Sequence, residues 1–241
     1  MQNVETEDLI INGSGSVGGG TYNRVLINGS GTIVHDLKCV DLECNGAGKI
    51  TANVHAMNTT IKGSSTITGN LLSERVQIQG HASVKGQMHF QQIEVMGATT
   101  VGKSVKGEQL TLEGSIDIGE DCECESFQAS GSFKIQGLLN ADTINVTLHG
   151  KSYAKEIGGE TITVKKRNTR SIIDKFIKTF SKTLKSDVIE GDHIHLEYTK
   201  AKVVRGNIIT LGPGCEIDLV EYKQEFNADK HAIVKEKKKI D

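Results

Sequence analysis

Three glycines near the start of the sequence have the spacing of a phosphate-binding loop. Gly13, Gly15 and Gly18 follow a short apolar run in the pattern Gly-x-Gly-x-x-Gly. In dinucleotide-binding proteins this pattern brings a pyrophosphate to the N-terminus of the helix that comes next. Here the next residues, TYNRVLING, have the pattern of a strand. We therefore interpret the glycines as corners of the chain and expect no bound cofactor.

Two pairs of possible metal ligands are each separated by one residue. Cys122 occupies an inward position of a sequence repeat and Cys124 a corner of it, which favours a structural role over a zinc site. His193 and His195 share one face of a predicted strand, and the sequence identifies no third ligand for them. We therefore expect no metal site.

The elements that carry these residues repeat along most of the chain. Glycines recur at an almost constant spacing, in which only the first step is shorter by one, and an apolar residue stands four positions after each. The repeated glycines are Gly13, Gly29, Gly46, Gly63, Gly80, Gly97, Gly114 and Gly131. A fixed period of this length is typical of solenoid proteins, in which one unit cannot bury its apolar side alone.

Three further apolar columns keep the same phase. Two begin at Val25 and Ile27, and residues two apart share one face of a strand. A third begins at Leu37. Each unit therefore has about three short strands separated by corners. We expect an all-β fold, a right-handed parallel β-helix of about eight coils with about 17 residues per coil, whose stacked side chains form the core.

One amphipathic α-helix is predicted as an insertion in this solenoid. Between Lys165 and Lys185 there are eight basic side chains and one Asp. Apolar residues recur at helical spacing on one face, namely Ile172, Ile173, Phe176, Ile177, Phe180 and Leu184. Lysines occupy largely the other face, namely Lys175, Lys178, Lys182 and Lys185. The helix could pack on the β-helix, lie on an anionic membrane or bind a protein partner.

The predicted organisation has five segments. An N-terminal tail covers residues 1–8, the β-helix 9–164, the basic helix 165–186, further coils 187–222 and a charged C-terminal tail 223–241. Strand alternation resumes after the helix, which is the basis for the further coils. The high charge of the last segment predicts a frayed or disordered tail.

Composition and charge limit the possible functions. Residues 1–161 carry 11 basic and 18 acidic side chains, and this excess of negative charge argues against nucleic-acid binding. The first residues lack the features of a signal peptide, and no apolar run is long enough to cross a membrane. The five cysteines are scattered, which does not suggest a disulfide framework. We expect a cytoplasmic protein.

The sequence contains no recognisable catalytic arrangement. Its eight histidines are dispersed, and no catalytic base, calcium groove or subunit-cleft histidine of the known β-helix enzymes can be identified. We therefore expect the protein not to be an enzyme and to have no small-molecule substrate.

The ends of a β-helix are predicted contact surfaces. Terminal coils have backbone groups without a neighbouring strand, and only eight residues precede the first predicted coil. We expect the protein to bind other copies of itself end to end, without nucleotide. The residues predicted for this contact are Leu9, Ile11 and Val17 in the first coil, and Ile217 and Leu219 at the other end.

The repeated units resemble a known family. VLINGSGTIV, VQIQGHASVKG and LTLEGSIDIGE are similar to the repeats of the bactofilins, the polymer-forming cytoskeletal proteins of bacteria. The resemblance covers residues 9–146, and TKAKVVRGNIITLGPGCEIDLVEY resembles the longer members from Gram-positive bacteria. It implies a right-handed β-helix that forms nonpolar filaments through its terminal coils, alone or with a paralogue. It also implies scaffolding of cell shape, envelope synthesis or motility, often beneath the cytoplasmic membrane.

The sequence departs from the bactofilin pattern in two places. MQNVETEDLI does not resemble the apolar membrane-targeting segment that many members carry at the N-terminus. The predicted helix and further coils after the core would cap the C-terminal end and block or alter polymerisation there. An alternative function is therefore a non-polymerising adaptor, which binds an anionic membrane or a protein partner through the basic helix.

Overall fold

The fold consists of parallel β-strands. A computed structural model describes residues 7–166 and 182–241 of the chain. These residues contain twenty strands and no helix. Strands that occupy the same position in successive turns pair in parallel, which is the arrangement of a parallel β-solenoid.

The strands vary from two to seventeen residues in length. The first ten are β1 (Leu9–Ile11), β2 (Ser14–Ile27), β3 (Ser30–Cys44), β4 (Ala47–Ile50), β5 (Val54–Ile61), β6 (Ser64–Ile67), β7 (Leu71–Ile78), β8 (His81–Val84), β9 (Met88–Val95) and β10 (Ala98–Val101). The others are β11 (Val105–Lys106), β12 (Gln109–Leu112), β13 (Ser115–Ile118), β14 (Cys122–Ala129), β15 (Ser132–Leu148), β16 (Lys151–Lys166), β17 (Thr183–Leu196), β18 (Thr199–Leu211), β19 (Glu216–Ala228) and β20 (Ile233–Lys239).

The chain divides into two compact units. Unit 1 contains the described residues up to 109 together with 114–119, and unit 2 contains 110–113 and the described residues from 120 to 241. Both have the parallel solenoid architecture, with about 13 turns in total and a spacing near 17 residues. The predicted solenoid and its period are therefore confirmed, but the turns are more numerous than the eight expected. The right-handed twist remains a prediction.

Stacked apolar residues form the core of unit 1. One column joins Val25, Leu42, Thr59, Val76 and Ile93, each paired with the next across neighbouring turns. Its one polar member, Thr59, is 1% exposed. The Thr59 hydroxyl donates a hydrogen bond to Ser73 Oγ at 3.0 Å, which satisfies a group that would otherwise be costly to bury.

The repeated glycines bring successive turns of unit 1 into close contact. A Cβ atom on Gly46 would overlap the carbonyl oxygen of Gly29, and one on Gly63 would overlap that of Gly46. The same relation holds along the column to Gly114. The glycine period therefore results from steric exclusion of a side chain where the backbone of one turn meets the next.

Unit 2 keeps a continuous core although the spacing between its turns varies. Ile144 pairs with Ile162, and Ile162 pairs with Ile194 across a much longer stretch of sequence. Ile194 then pairs with Ile209, and these two residues have the smallest sequence separation of the three pairs. The stack therefore passes directly from β16 to β17, and the intervening residues 167–181 lie outside the described part of the chain.

Both ends of the predicted helix belong to strands. Lys165 and Lys166 end β16, and Leu184, Lys185 and Ser186 lie in β17. Leu184 is fully buried and pairs with Ser152 and Thr199, so its assignment to an apolar helix face was wrong. Its spacing from Phe180 fits a helix, but alternating burial with Lys185 and Ser186 shows a strand.

The predicted C-terminal tail also contains strand structure. β19 extends to Ala228, and β20 pairs with it from Ile233 to Lys239. The expected end of the solenoid at residue 222 is therefore wrong. Four lysines in β20 obscured the strand pattern, but the backbone of β19 offers a ladder of donors and acceptors that a charged strand can pair with equally well.

Candidate self-association surfaces

The first described strand, β1, is paired on one side. Leu9 pairs with Val25 and Ile11 with Ile27, and no described strand pairs with the outer edge of β1. Leu9 is half-buried, Ile10 is 53% exposed and Ile11 is buried. Two of the predicted contact residues, Leu9 and Ile11, thus lie in a strand at the edge of unit 1.

The first part of β2, Ser14–Gly20, forms a second open edge in the same turn. It pairs with β3 on one side, where Val17 lies opposite Ile33, and no described strand pairs with its other side. Val17 is half-buried, whereas Ile33 is fully buried one turn later. The predicted contact residue Val17 therefore lies in a core column that is open on its outer side.

Small residues leave this edge accessible. A Cβ atom on Gly13, Gly15 or Gly18 would meet no described atom within 4 Å. Ser14–Gly20 contains no charged side chain. Natural proteins usually protect such edges with charges, and this one lacks them. We name Ser14–Gly20 together with β1 the first-turn edge.

Polar side chains at the first turns form short ladders. Asn28 Nδ2 donates to Asn12 Oδ1 at 2.9 Å, and Asn45 Nδ2 donates to Asn28 Oδ1 at 2.9 Å. Asp8 Oδ1 accepts hydrogen bonds from Asn23 Nδ2 and from the Arg24 backbone N–H, both at 3.2 Å. These bonds hold the residues around β1 against the next turn.

Ile217 and Leu219 do not lie at the end of unit 2, contrary to the sequence prediction. β20 pairs over them, with Val234 opposite Ile217 and Glu236 opposite Leu219. Ile217 is 1% exposed and Leu219 is half-buried. Any end-to-end contact at this end would therefore involve β20.

Basic side chains dominate β20. Lys235, Lys237, Lys238 and Lys239 are all exposed. Lys237 lies opposite Val220 and so continues an apolar column with a charge. Lys235 Nζ lies 2.7 Å from Asp218 Oδ1, and the hydrogen bond to this carboxylate raises the pKa of Lys235. We name the outer side of Ile233–Lys239 the lysine edge.

Charges alternate along the outer face of unit 2. In one column Arg205 pairs with Glu190 on one side and Glu221 on the other, at 3.1 and 2.7 Å, and Lys238 follows opposite Glu221. In another, Lys202 bonds Asp187 at 2.9 Å. Asp218 and Lys235 continue this second column in the next two turns. The sequence analysis missed these ladders. Their residues are one turn apart in the sequence and alternate in charge, and they can be recognised as neighbours only when the strand register is known.

The five cysteines are inside the solenoid. All are free and buried. Burial raises the pKa of Cys39 to about 12 and that of Cys215 to about 11. Cys122 is fully buried, and a hydrogen bond with Cys124 together with burial raises its pKa well above the ordinary thiol value. Cys39, Cys122 and Cys215 are therefore protonated at neutral pH, which suits core packing.

The other residues singled out by spacing lie on strands. Gly15 and Gly18 are in β2, where the dinucleotide pattern would require a turn into a helix. His193 and His195 flank the buried Ile194 and point to the outer face of β17. Within the described residues, no three His, Cys, Asp or Glu side chains are grouped as a metal site would need.

The remaining residues of the predicted basic helix cannot be placed. Ile172, Ile173, Lys175, Phe176, Ile177, Lys178 and Phe180 lie outside the described residues. Lys182 is described and half-buried, immediately before β17. Within residues 7–166 and 182–241, no helix has the length and hydrophobicity to cross a membrane.

Comparison with known proteins identifies two relatives from one bacterium. The chain is 58% identical over 235 residues to the uncharacterized protein YhbE of Bacillus subtilis (strain 168), covering 97% of this chain and 98% of YhbE. It is 45% identical over 105 residues to the uncharacterized protein YhbF of the same organism, covering 43% of this chain and 42% of YhbF. No family model matches the chain, and no solved structure matches it.

Proposed function

Because the chain belongs to the same family as YhbE of Bacillus subtilis, we propose one function for this family: a structural scaffold of the bactofilin type. In this proposal the protein assembles end to end into filaments without nucleotide. The scaffold supports cell shape, the envelope or motility from the cytoplasm, in part at the inner face of the membrane.

The first-turn edge is the observation that carries this proposal. It combines backbone groups without a described partner, an open core column at Val17 and no charged side chain to discourage pairing. The interface that another turn would form there is the same one that holds β2 to β3. Stacking on this edge would therefore extend a strand ladder and an apolar column together.

The presence of YhbE and YhbF in one organism supports co-assembly with a paralogue. Both resemble this chain, and a shared turn geometry would allow unlike subunits to stack by the same strand pairing. A mixed polymer is therefore part of the proposal, alongside the homopolymer.

Negative-stain electron microscopy with sedimentation tests the proposal. The purified full chain, in physiological salt without nucleotide, should form filaments that pellet at high speed. Val17→Lys should reduce the pelleted fraction strongly, because it places a charge in an apolar interface. The matched control is Val40→Lys, at an exposed position of β3, a strand that is paired on both sides.

The control separates assembly from solubility. Val40→Lys adds the same charge away from the first-turn edge and should pellet like the wild type. Wild-type protein that remains monomeric at all concentrations tested would contradict the proposed function. Equal effects of the two substitutions would show that the first-turn edge is not the surface through which the protein assembles.

A second candidate function is membrane or partner binding by residues 167–181, the part of the predicted basic helix that does not belong to β16 or β17. It is favoured by the four basic side chains and the apolar spacing of that segment. Co-sedimentation with anionic liposomes tests it, and Phe176→Glu should abolish binding. Liposome binding by a chain that forms no filaments would favour this adaptor function over the scaffold.

A further inference from the structure

Three Asn-Gly dipeptides occupy the same corner in three successive turns of unit 1. Two side-chain hydrogen bonds join them, from Asn28 to Asn12 and from Asn45 to Asn28, both at 2.9 Å. The sequence Ile-Asn-Gly-Ser-Gly is identical at residues 11–15 and 27–31. Any difference in reactivity between Asn12 and Asn28 would therefore come from the structure and not from the neighbouring residues.

The backbone of the second dipeptide is held by the turn before it. The N–H groups of Asn28 and Gly29 both donate to the carbonyl oxygen of Ile11, at 2.9 and 3.2 Å. The third dipeptide makes the same pair of bonds to Ile27, at 2.8 and 3.1 Å. These two corners are therefore fixed from one side by a neighbouring strand.

The first dipeptide lacks these bonds. Among the described residues, neither the Asn12 nor the Gly13 N–H has a backbone acceptor, and a Cβ atom on Gly13 would meet nothing within 4 Å. Asn12 is exposed, and its Oδ1 accepts the bond from Asn28. Asn12 Nδ2 is thus the one amide group of this ladder for which the described residues supply no acceptor.

An Asn-Gly sequence is prone to spontaneous deamidation, because glycine has no side chain to hinder the reaction. At the first dipeptide, the backbone nitrogen of Gly13 attacks the side-chain carbonyl carbon of Asn12, Cγ. A new N–Cγ bond forms, the Cγ–Nδ2 bond breaks, and Nδ2 leaves as ammonia with the proton of the Gly13 N–H. Water then opens the resulting succinimide ring at one of its two carbonyl carbons. No oxidant, reductant or cofactor takes part.

Both products of this reaction change the first-turn edge, because Asn12 and Gly13 connect its two parts. Ring opening at Cγ gives aspartate, which adds a negative charge. Ring opening at the backbone carbonyl carbon gives isoaspartate, which adds the same charge and lengthens the main chain by one methylene group. With isoaspartate at position 12, an added turn cannot pair with both parts of the edge in the native register.

Stacking on the first-turn edge would protect this site. An added turn would repeat the relation between Ile11 and the second dipeptide, so the Asn12 and Gly13 N–H groups would donate to a carbonyl oxygen of the added copy. Ring closure requires the Gly13 nitrogen to turn towards Cγ of Asn12. A backbone held by hydrogen bonds must open before it can do so.

We propose that Asn12–Gly13 is a modification site, at which spontaneous deamidation of unassembled chains removes them from assembly. The site itself follows from the structure of a single chain, whereas its effect on assembly rests on the proposed function. Chains that remain unassembled are progressively excluded, and assembled chains keep a native edge.

Peptide mapping by mass spectrometry tests the site. Trypsin places the three asparagines on different peptides, because Arg24 and Lys38 separate them. In the folded, monomeric chain at pH 8, Asn12 should deamidate about tenfold faster than Asn28 or more, because the turn of Asn28 must first open. In guanidinium chloride the two should react at similar rates, since their local sequence is the same. Similar rates in the folded chain would overturn the proposal.

Sedimentation tests the effect on assembly. Wild-type protein is aged as a monomer, concentrated and pelleted, and fragmentation by electron transfer distinguishes isoaspartate from aspartate at position 12. Isoaspartate should be enriched about tenfold or more in the supernatant relative to the pellet, because the modified edge binds another copy more weakly. Protein aged in the pellet should lose the Asn12 amide more slowly than the monomer does.

Asn12→Gln is the matched control. It keeps an uncharged amide at this position, and glutamine closes the corresponding ring far more slowly. After the same ageing, this variant should pellet like its own fresh preparation, whereas the wild type should pellet less than before. Equal losses in both would show that ageing acts elsewhere in the chain, which would overturn the proposed effect on assembly.

The outcomes distinguish this inference from the function on which it rests. If the wild type forms no pellet at any concentration, the proposed function fails together with the effect on assembly, and the peptide map alone decides the site. If the wild type assembles and isoaspartate is equally frequent in pellet and supernatant, the proposed function stands and the exclusion of modified chains fails.

Discussion

Gly63 lies directly against the carbonyl oxygen of Gly46 in the preceding turn, so that a Cβ atom on Gly63 would overlap this oxygen. The nearest atoms are all backbone atoms of Asn45 and Gly46, which connect β3 to β4, so they cannot move away without disturbing the pairing of these strands. The close packing of successive turns therefore requires glycine at this position, which explains the regular glycine period of unit 1.

Gly63→Ala should destabilise the protein by about 2 kcal/mol or more, because the new methyl group has no space. Guanidinium unfolding followed by circular dichroism measures the change. Gly13→Ala is the matched control, since a Cβ atom there meets nothing described within 4 Å. At concentrations where the chain is monomeric, the control should unfold like the wild type. Similar losses for both variants would contradict the steric explanation.

Phe127→Ala should cost about 3–5 kcal/mol of folding free energy. Phe127 is fully buried in unit 2, and its ring meets Phe133 edge to face, with ring centroids 5.2 Å apart at 82°. The narrow interior cannot collapse around the cavity without shifting paired strands. Phe127→Leu retains most of the volume and should cost markedly less. Thermal unfolding of the two variants provides the measurement, and equal losses would show that the core rearranges.

Glu43 should make a part of the stability depend on acid pH. Hydrogen bonds from Lys62 and Arg24, at 3.0 and 2.8 Å, lower the pKa of Glu43 from 4.5 to about 2. A depressed pKa stabilises the fold above the unfolded value, and this stabilisation is lost as the pH falls from about 4.5 towards 2. Glu43→Gln should lower the Tm at pH 7 and should converge with the wild type near pH 2.

A surface variant provides the comparison for this pH effect. Glu74→Gln changes an exposed carboxylate in β7 that lies outside the Glu43 ion pairs. Its Tm should follow the wild type across the same pH range. A constant difference between Glu43→Gln and the wild type from pH 7 to pH 2 would show that the ion pairs do not cause the effect.

The native cysteines should resist thiol reagents. All five are buried, and burial keeps Cys39 and Cys215 protonated by raising their pKa to about 12 and about 11. Reaction with Ellman's reagent at pH 8 should be negligible in the folded protein and should reach five thiols per chain in guanidinium chloride. Rapid labelling of the folded chain would indicate that the solenoid opens readily.

The individual charges of unit 2 were visible in the sequence, but the ladders that they form were not. Charges one turn apart, such as Glu190, Arg205 and Glu221, become neighbours only through the strand register. Leu184 shows the same limit at one residue, because its spacing satisfies both a helix with Phe180 and a strand with Ser186. The neighbouring strands, which place it between Ser152 and Thr199, decided between them.

The sequence by itself determined the parallel solenoid, its period and its inward columns, because each turn repeats the same steric and apolar requirements at Gly63, Ile67 and Val76. The tertiary structure decided which strand ends the stack and where its charges lie. Pairing with β19 makes a strand of the lysine-rich β20, and a backbone ladder of this kind depends little on the side chains that accompany it. The strand at the end of the stack is the one to which no further strand pairs, and a local sequence pattern does not contain this information.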